Sequence, residues 1–298
     1  LFGLSDDFSI AFVTGGASTQ FFQIPMNLLN DGDKAVYIDT GVWANKAIKE
    51  AKNFGQTIVA ASSKESNYNY IPKDYIVDKD SKYLHLTSNN TIYGTQQNWW
   101  PDVDVPIVCD MSSDIFSREI PIDKFGLIYA GAQKNMGSAG VTLVAVRKDM
   151  LGHVSRTLPA MLDYRTHIDN GSMYNTPPVF PIYVSMLVMR WIKKMGGVKA
   201  METINDAKAK ILYDEIDRNP LFKGTTAVED RSKMNVCFVM EDNSMDDAFM
   251  ALTKQHGISG IKGHRSVGGF RASIYNAMPQ SSVQVLVDLM REFEVSKG

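Results

Sequence analysis

Short apolar runs of about six residues recur along this chain and alternate with longer segments whose apolar positions follow one face of a helix. The runs are FSIAFVT (8–14), KAVYIDT (34–40), QTIVAAS (56–62), YLHLTS (83–88), PIVCDMS (106–112) and the pair Phe125–Ala130 and Val141–Val146. Between them lie helix-like stretches such as TQFFQIPMNLLN (19–30) and ANKAIKEAKNFG (44–55). Runs rich in β-branched and aromatic residues, without polar alternation, are the pattern of strands covered on both faces. Alternated with helices, they predict an α/β fold built on a mainly parallel sheet.

From about Asn205 the character changes. AKAKILYDEIDRN (207–219), MNVCFVME (234–241), MDDAFMALTKQHG (245–257), FRASIYNA (270–277) and SSVQVLVDLMREFE (281–294) alternate helix and strand, enough for a smaller C-terminal α/β domain. The expected division is therefore 1–204 and 205–298. RNPLFKGT (218–225) and VEDRSK (228–233) read as loops, and NTPPVFP (175–181) as an extended, rigid crossing imposed by its prolines.

Composition narrows the function. With 31 Lys and Arg against 33 Asp and Glu the net charge is −2, so no basic surface invites nucleic acid. The longest apolar run, around VSMLVM, ends at Arg190, well short of the roughly 20 residues that cross a bilayer. The five histidines form no pair at metal-ligand spacing, and no metal site is expected. Cys109 and Cys237 sit far apart in strand-like runs and read as buried thiols of a reducing compartment, which suits a cytoplasmic protein. The chain opens without Met, and its first strand arrives by residue 10, which reads as a start inside a domain.

One lysine stands out against this background. Lys134 lies in AGAQKNMGSAG (130–140), a loop of small residues between two buried strands. Most lysines between strands are solvated, but one held among Ala, Gly and Ser at the end of a buried strand is partly desolvated, and its amine gains nucleophilic character. Asp110 ends the strand that begins at Pro106, and ligands of open α/β sheets sit outside the carboxyl ends of strands. Asp110 alone would serve equally as a helix N-cap. A lysine and an aspartate together match pyridoxal phosphate, which needs an amine for its aldehyde and a carboxylate to keep its ring nitrogen protonated.

The remaining needs of such a cofactor find candidates. VTGGASTQFF (13–22) turns sharply after a strand and opens a helix at Ala17, Ser18 and Thr19, whose free N–H groups suit a phosphate. A plain capped turn explains the same residues. Trp43, in TGVWANK, follows a strand where an indole can stack on a flat ring, and Thr91, in SNNTIYGT, offers a hydroxyl. A nicotinamide-dependent oxidoreductase shares the strand-Gly-Gly-helix opening, and Asp39 lies near the spacing of its ribose partner.

Taken in order, GGAS, NNTIYGT, CDMSSDIFSR, YAGAQKNMG, YNTPPVF and GHRSVGGFRASIYNA resemble the phosphoserine aminotransferase family, fold-type I enzymes that use pyridoxal phosphate. The resemblance runs from Phe8 to near the end. It implies transfer of an amino group between L-glutamate and 3-phosphohydroxypyruvate, in a homodimer with shared active sites, and leaves open a second acceptor of the pyridoxine pathway. Lys134 then resembles the cofactor-linking lysine, Asp110 the ring-nitrogen partner, Trp43 the stacked residue and Thr91 the donor to the ring hydroxyl. Ala17, Ser18 and Gln133 would hold the phosphate, with Asn175 and Thr176 reaching the other subunit's phosphate. Arg271 resembles the arginine that binds the substrate carboxylate, and His264 and Arg265 the pair that meets the substrate phosphate from the neighbouring subunit. The family's N-terminal segment, with a further His-Arg pair, has no counterpart before Leu1. The expectation is that this form binds the cofactor but has impaired substrate affinity, or acts only as a catalytically impaired homologue.

Overall fold

A computed structural model describes residues 1–297. Seven strands form the main sheet: β1 (Phe8–Val13), β2 (Lys34–Asp39), β3 (Gln56–Ser62), β4 (Leu84–Thr87), β7 (Ile107–Asp110), β8 (Phe125–Gly131) and β9 (Thr142–Arg147), with the two-residue pair β5 (Asn89–Asn90) and β6 (Thr95–Gln96) beside it. Their order is β1-β9-β8-β7-β4-β2-β3. The β2–β3, β2–β4, β4–β7 and β7–β8 pairings are parallel, and β9 alone runs against its neighbours.

The sheet is covered on both faces, which explains the unbroken apolar runs. Every residue of β7 and β8 is buried. Because side chains alternate along a strand, Leu127 and Tyr129 join one core with Phe21, Ile24 and Ile48 from helices α1 (Gly16–Leu28) and α2 (Val42–Ala51). Ile128 and Ala130 join the other with Ile192 of α4 (Val179–Lys194) and Met201 of α5 (Gly197–Arg218). The short helix α3 (Tyr164–Asp169) adds Tyr164 to the first core.

A second sheet, β10 (Phe222–Gly224), β11 (Asn235–Met240) and β12 (Phe270–Ser273), is antiparallel and packs against α5, α6 (Asp246–Gln255) and α7 (Gln280–Lys297). Its centre is aromatic: Phe249 meets Phe222, Phe270 and Phe293 edge-on at 5.0, 5.2 and 5.3 Å. Asn205, where the composition changes, lies within the 22-residue helix α5, so both cores draw on that one helix.

Two local readings are corrected. RNPLFKGT contains β10, paired through Phe222 with Met240; a three-residue edge strand is too short to show a period of two. In NTPPVFP, helix α4 begins at Val179 and takes in Phe180 and Pro181. A proline in the first turn costs little, because that N–H would have no intrahelical partner.

Candidate active site

The carboxyl ends of five strands converge on one cleft. After β1 the chain turns through Gly15, whose φ of +93° suits glycine and where a Cβ would collide with Thr19, and enters α1 without a side-chain cap. The first-turn residues Gly16, Ala17 and Ser18 line the cleft, their N–H groups preceding the first helical bond, Thr19 N to Gly15 O. After β2, Gly41 lets α2 approach closely: a Cβ there would lie 2.9 Å from Asn90 Oδ1. This approach brings Trp43 Nε1 to 3.4 Å from Thr91 Oγ1, a long hydrogen bond.

Asp110 closes β7 and is 6% exposed; its Oδ1 accepts from Ser112 N at 2.9 Å. Burial raises its carboxyl above the usual range, against the pull of the Ser112 bonds and the Lys134 charge. Lys134 follows β8 in a turn fixed by Ala132 N to Val141 O and Met136 N to Ala132 O, at 3.0 and 3.1 Å. Burial lowers its ammonium from the usual lysine value, Asp110 opposes that shift, and Arg271 adds to it. Gln133 lines the same cleft.

An adjoining cavity shares Trp43 and Lys134 and adds Thr91, His264 and Arg271. Arg271 enters from β12 and donates to Thr91 O at 3.1 Å, bridging the smaller sheet to the larger. The lysine loop is tied to the same strand's continuation, with Asn276 N donating to Asn135 Oδ1 at 3.0 Å and the Asn276 side chain to Phe116 O at 3.0 Å. Three of the expected residues lie apart within the chain: Asn175 lines another cavity beside Gly15 and Thr19, while Thr176 and Arg265 are exposed.

Several residues of the cleft escaped sequence reasoning. Thr87, Asn89, Ser112 and Ser113 line it and are buried, and Lys46 and Tyr275 line the adjoining cavity. Thr87 had a signal, since it ends an apolar strand as Asp110 does. The others sit in polar turns or on a helix surface without periodic pattern.

With this geometry in view, comparison with known proteins is decisive. The family model for aminotransferase class-V matches residues 1–286. Phosphoserine aminotransferases of Flavobacterium psychrophilum and Parabacteroides distasonis are 59% and 60% identical, over 95% and 96% of this chain and 80% and 81% of theirs. The chain belongs to the phosphoserine aminotransferase family. The solved phosphoserine aminotransferase of Bacillus circulans subsp. alkalophilus superposes with a TM-score of 0.96 at 47% identity, covering all of this chain and 83% of that one. Family membership makes the chain a transaminase dependent on pyridoxal phosphate, acting on small molecules, with the fold-type I architecture.

Family membership removes the oxidoreductase alternative. Asp39 is buried, and its Oδ2 accepts from Ser62 Oγ at 3.1 Å and Tyr68 OH at 3.3 Å. Both cysteines are free and buried, and burial pushes the Cys237 thiol up to about 12, leaving no ready thiolate. No helix among the described residues is long and apolar enough to cross a membrane.

Proposed function

We propose that this chain transfers the amino group between L-glutamate and 3-phosphohydroxypyruvate in serine biosynthesis, through pyridoxal phosphate held in the cleft between Asp110 and Lys134. The observation that carries this reading is the convergence of Lys134, Asp110, Trp43 and the α1 first turn on one cleft. Pyridoxal phosphate supplies an electron sink for the carbon that loses its proton.

The residues fit the group. Gly16, Ala17 and Ser18 offer backbone donors, and no Cβ contact crowds Gly16, so a phosphate has room at the helix start. Among the described residues Thr87 Oγ1, buried in the cleft wall, has no partner, an orphan that a polar ligand would satisfy. The carboxylate of Asp110 would keep a ring nitrogen protonated, Trp43 would cover one ring face, Thr91 would meet the ring hydroxyl, and Gln133 would hold the phosphate. Lys134, its ammonium weakened by burial, would link the cofactor and then, as a free amine, carry the proton from the substrate Cα. Arg271 would bind the substrate carboxylate through its planar fork, and its unpartnered buried Nε is available for that bond.

The same reading includes a homodimer in a cytoplasmic setting. Val179, Phe180, Tyr183 and Leu187 are exposed along α4, next to Asn175 and Thr176, which find no place in their own chain's cleft. Such an apolar stripe suits a second copy, whose cleft Asn175 and Thr176 would complete, with His264 and Arg265 meeting the substrate phosphate across the interface. The division into a large unit and a smaller C-terminal one, joined through α5, goes with this reading. The test is a half-reaction titration: glutamate should bleach the cofactor's visible absorbance, and 3-phosphohydroxypyruvate should restore it in equal amount. No spectral change with either would contradict the assignment.

A further inference from the structure

The cavity that adjoins the cofactor cleft is unusually one-sided in charge. Lys46, Lys134 and Arg271 line it together with His264, and among the described residues no aspartate or glutamate does. A cavity with several cationic groups and no carboxylate raises the local concentration of anions and favours ligands that carry more than one. On the function proposed above, three of these residues already have tasks: Lys134 serves the cofactor, Arg271 one carboxylate and His264 the substrate phosphate. Lys46 has none.

Its placement is specific. Lys46 follows Trp43 by three residues on α2, so the two side chains share a face of the helix. Its Nζ lies over the Trp43 ring at 4.7 Å from the centroid. Glu50, four residues further on and exposed, is the ordinary partner for such a lysine, yet among the described residues no ion pair includes Lys46. A ring face attracts an ammonium without satisfying its three N–H donors. The side chain is therefore held over the ring at the cavity wall with donors left for an anion.

We infer that Lys46 is a specificity-determining residue that recognises the anionic far end of the substrate, the phosphate of the keto acid or the side-chain carboxylate of the amino donor. This inference rests on the proposed reaction and assigns a residue of this chain that sets charge preference at the substrate's distal anion. A lysine that merely shields Trp43 would act on every substrate alike. A lysine that pairs with a distal anion acts only on substrates that have one.

The test uses the cofactor-loaded protein and its Lys46→Met and Lys46→Arg variants, with 3-phosphohydroxypyruvate and pyruvate as acceptors that differ in the phosphate arm. The ratio of kcat/KM values, phosphorylated over unphosphorylated, should fall about tenfold in Lys46→Met and recover most of the way in Lys46→Arg, as expected for one charge-assisted hydrogen bond. In parallel, calorimetric titration with inorganic phosphate should show a dissociation constant about tenfold weaker for Lys46→Met. An unchanged ratio with unchanged phosphate binding would overturn the inference, as would equal losses on both acceptors. If the unmodified protein transaminated neither acceptor while its phosphate binding still depended on Lys46, the proposed reaction would fail and the anion site would stand.

Discussion

Lys134 and Asp110 act on each other through charge as well as through position. Burial pushes the lysine's ammonium toward release of its proton, while the Asp110 charge holds it back. In the cofactor-free protein the Lys134 amine should therefore become reactive at a lower pH than exposed lysines, whose ordinary value is 10.5. Removing the opposing charge with Asp110→Asn should move that midpoint lower still. The pH profile of amine labelling, read by mass spectrometry at Lys134, checks both, and a midpoint equal to that of exposed lysines would count against the desolvated site. In the holoenzyme, Lys134→Ala should reduce transamination by about 10³-fold, the scale of a lost acid–base group. These two residues were legible in the sequence because each ends or follows a buried strand. Lys46 was not, because a helix lysine followed by a glutamate at four residues looks like any solvated pair.

Helix α5 and strand β12 are joined by a buried cation. Lys208 is fully buried and donates to Ile274 O at 3.0 Å and Tyr275 O at 2.8 Å, holding the end of the strand that carries Arg271. Burial lowers its value from 10.5 to about 8. Between those two values the unfolded chain binds more protons than the folded one, so this group makes stability rise with pH from about 8 to 10.5 and carries its full cost below 8. Lys208→Met should abolish that rise in urea unfolding measured across the window. The two carbonyls would lose their donor at a cost of about 2 kcal/mol, set against the charge cost the substitution removes. The elements themselves were largely readable. The main-sheet strands are long enough to show their apolar pattern, and FRASIYNA and MNVCFVME reveal β12 and β11 in the same way. β10 escaped because three residues carry one buried side chain, Phe222. The start of α4 escaped because prolines at 177, 178 and 181 suggest extended chain, although the last is accommodated in a first helical turn.

At the scale of the whole molecule, the two sheets meet beside the candidate site, and several of the contacts that join them are polar. Asn89 donates to Asn235 at 2.9 Å, Asn276 to Asn135 and Arg271 to Thr91, so Arg271 is registered against the large unit by hydrogen bonds. Such pairings join residues more than 100 positions apart and leave no periodic trace, which is why the residues proposed to hold the cofactor were easier to read than the frame that aligns them. The exposed α4 stripe makes its own claim on assembly. Phe180→Asp should shift sedimentation toward the monomer and weaken cofactor retention, because Asn175 and Thr176 would no longer reach a neighbouring cleft; an unchanged dimer would place the interface elsewhere. The account as a whole depends on which amine holds the cofactor. Borohydride reduction of the pyridoxal-phosphate-loaded protein, followed by peptide mapping, should find the phosphopyridoxyl mass on Lys134 alone, and its recovery on another lysine, or on none, would contradict the site described.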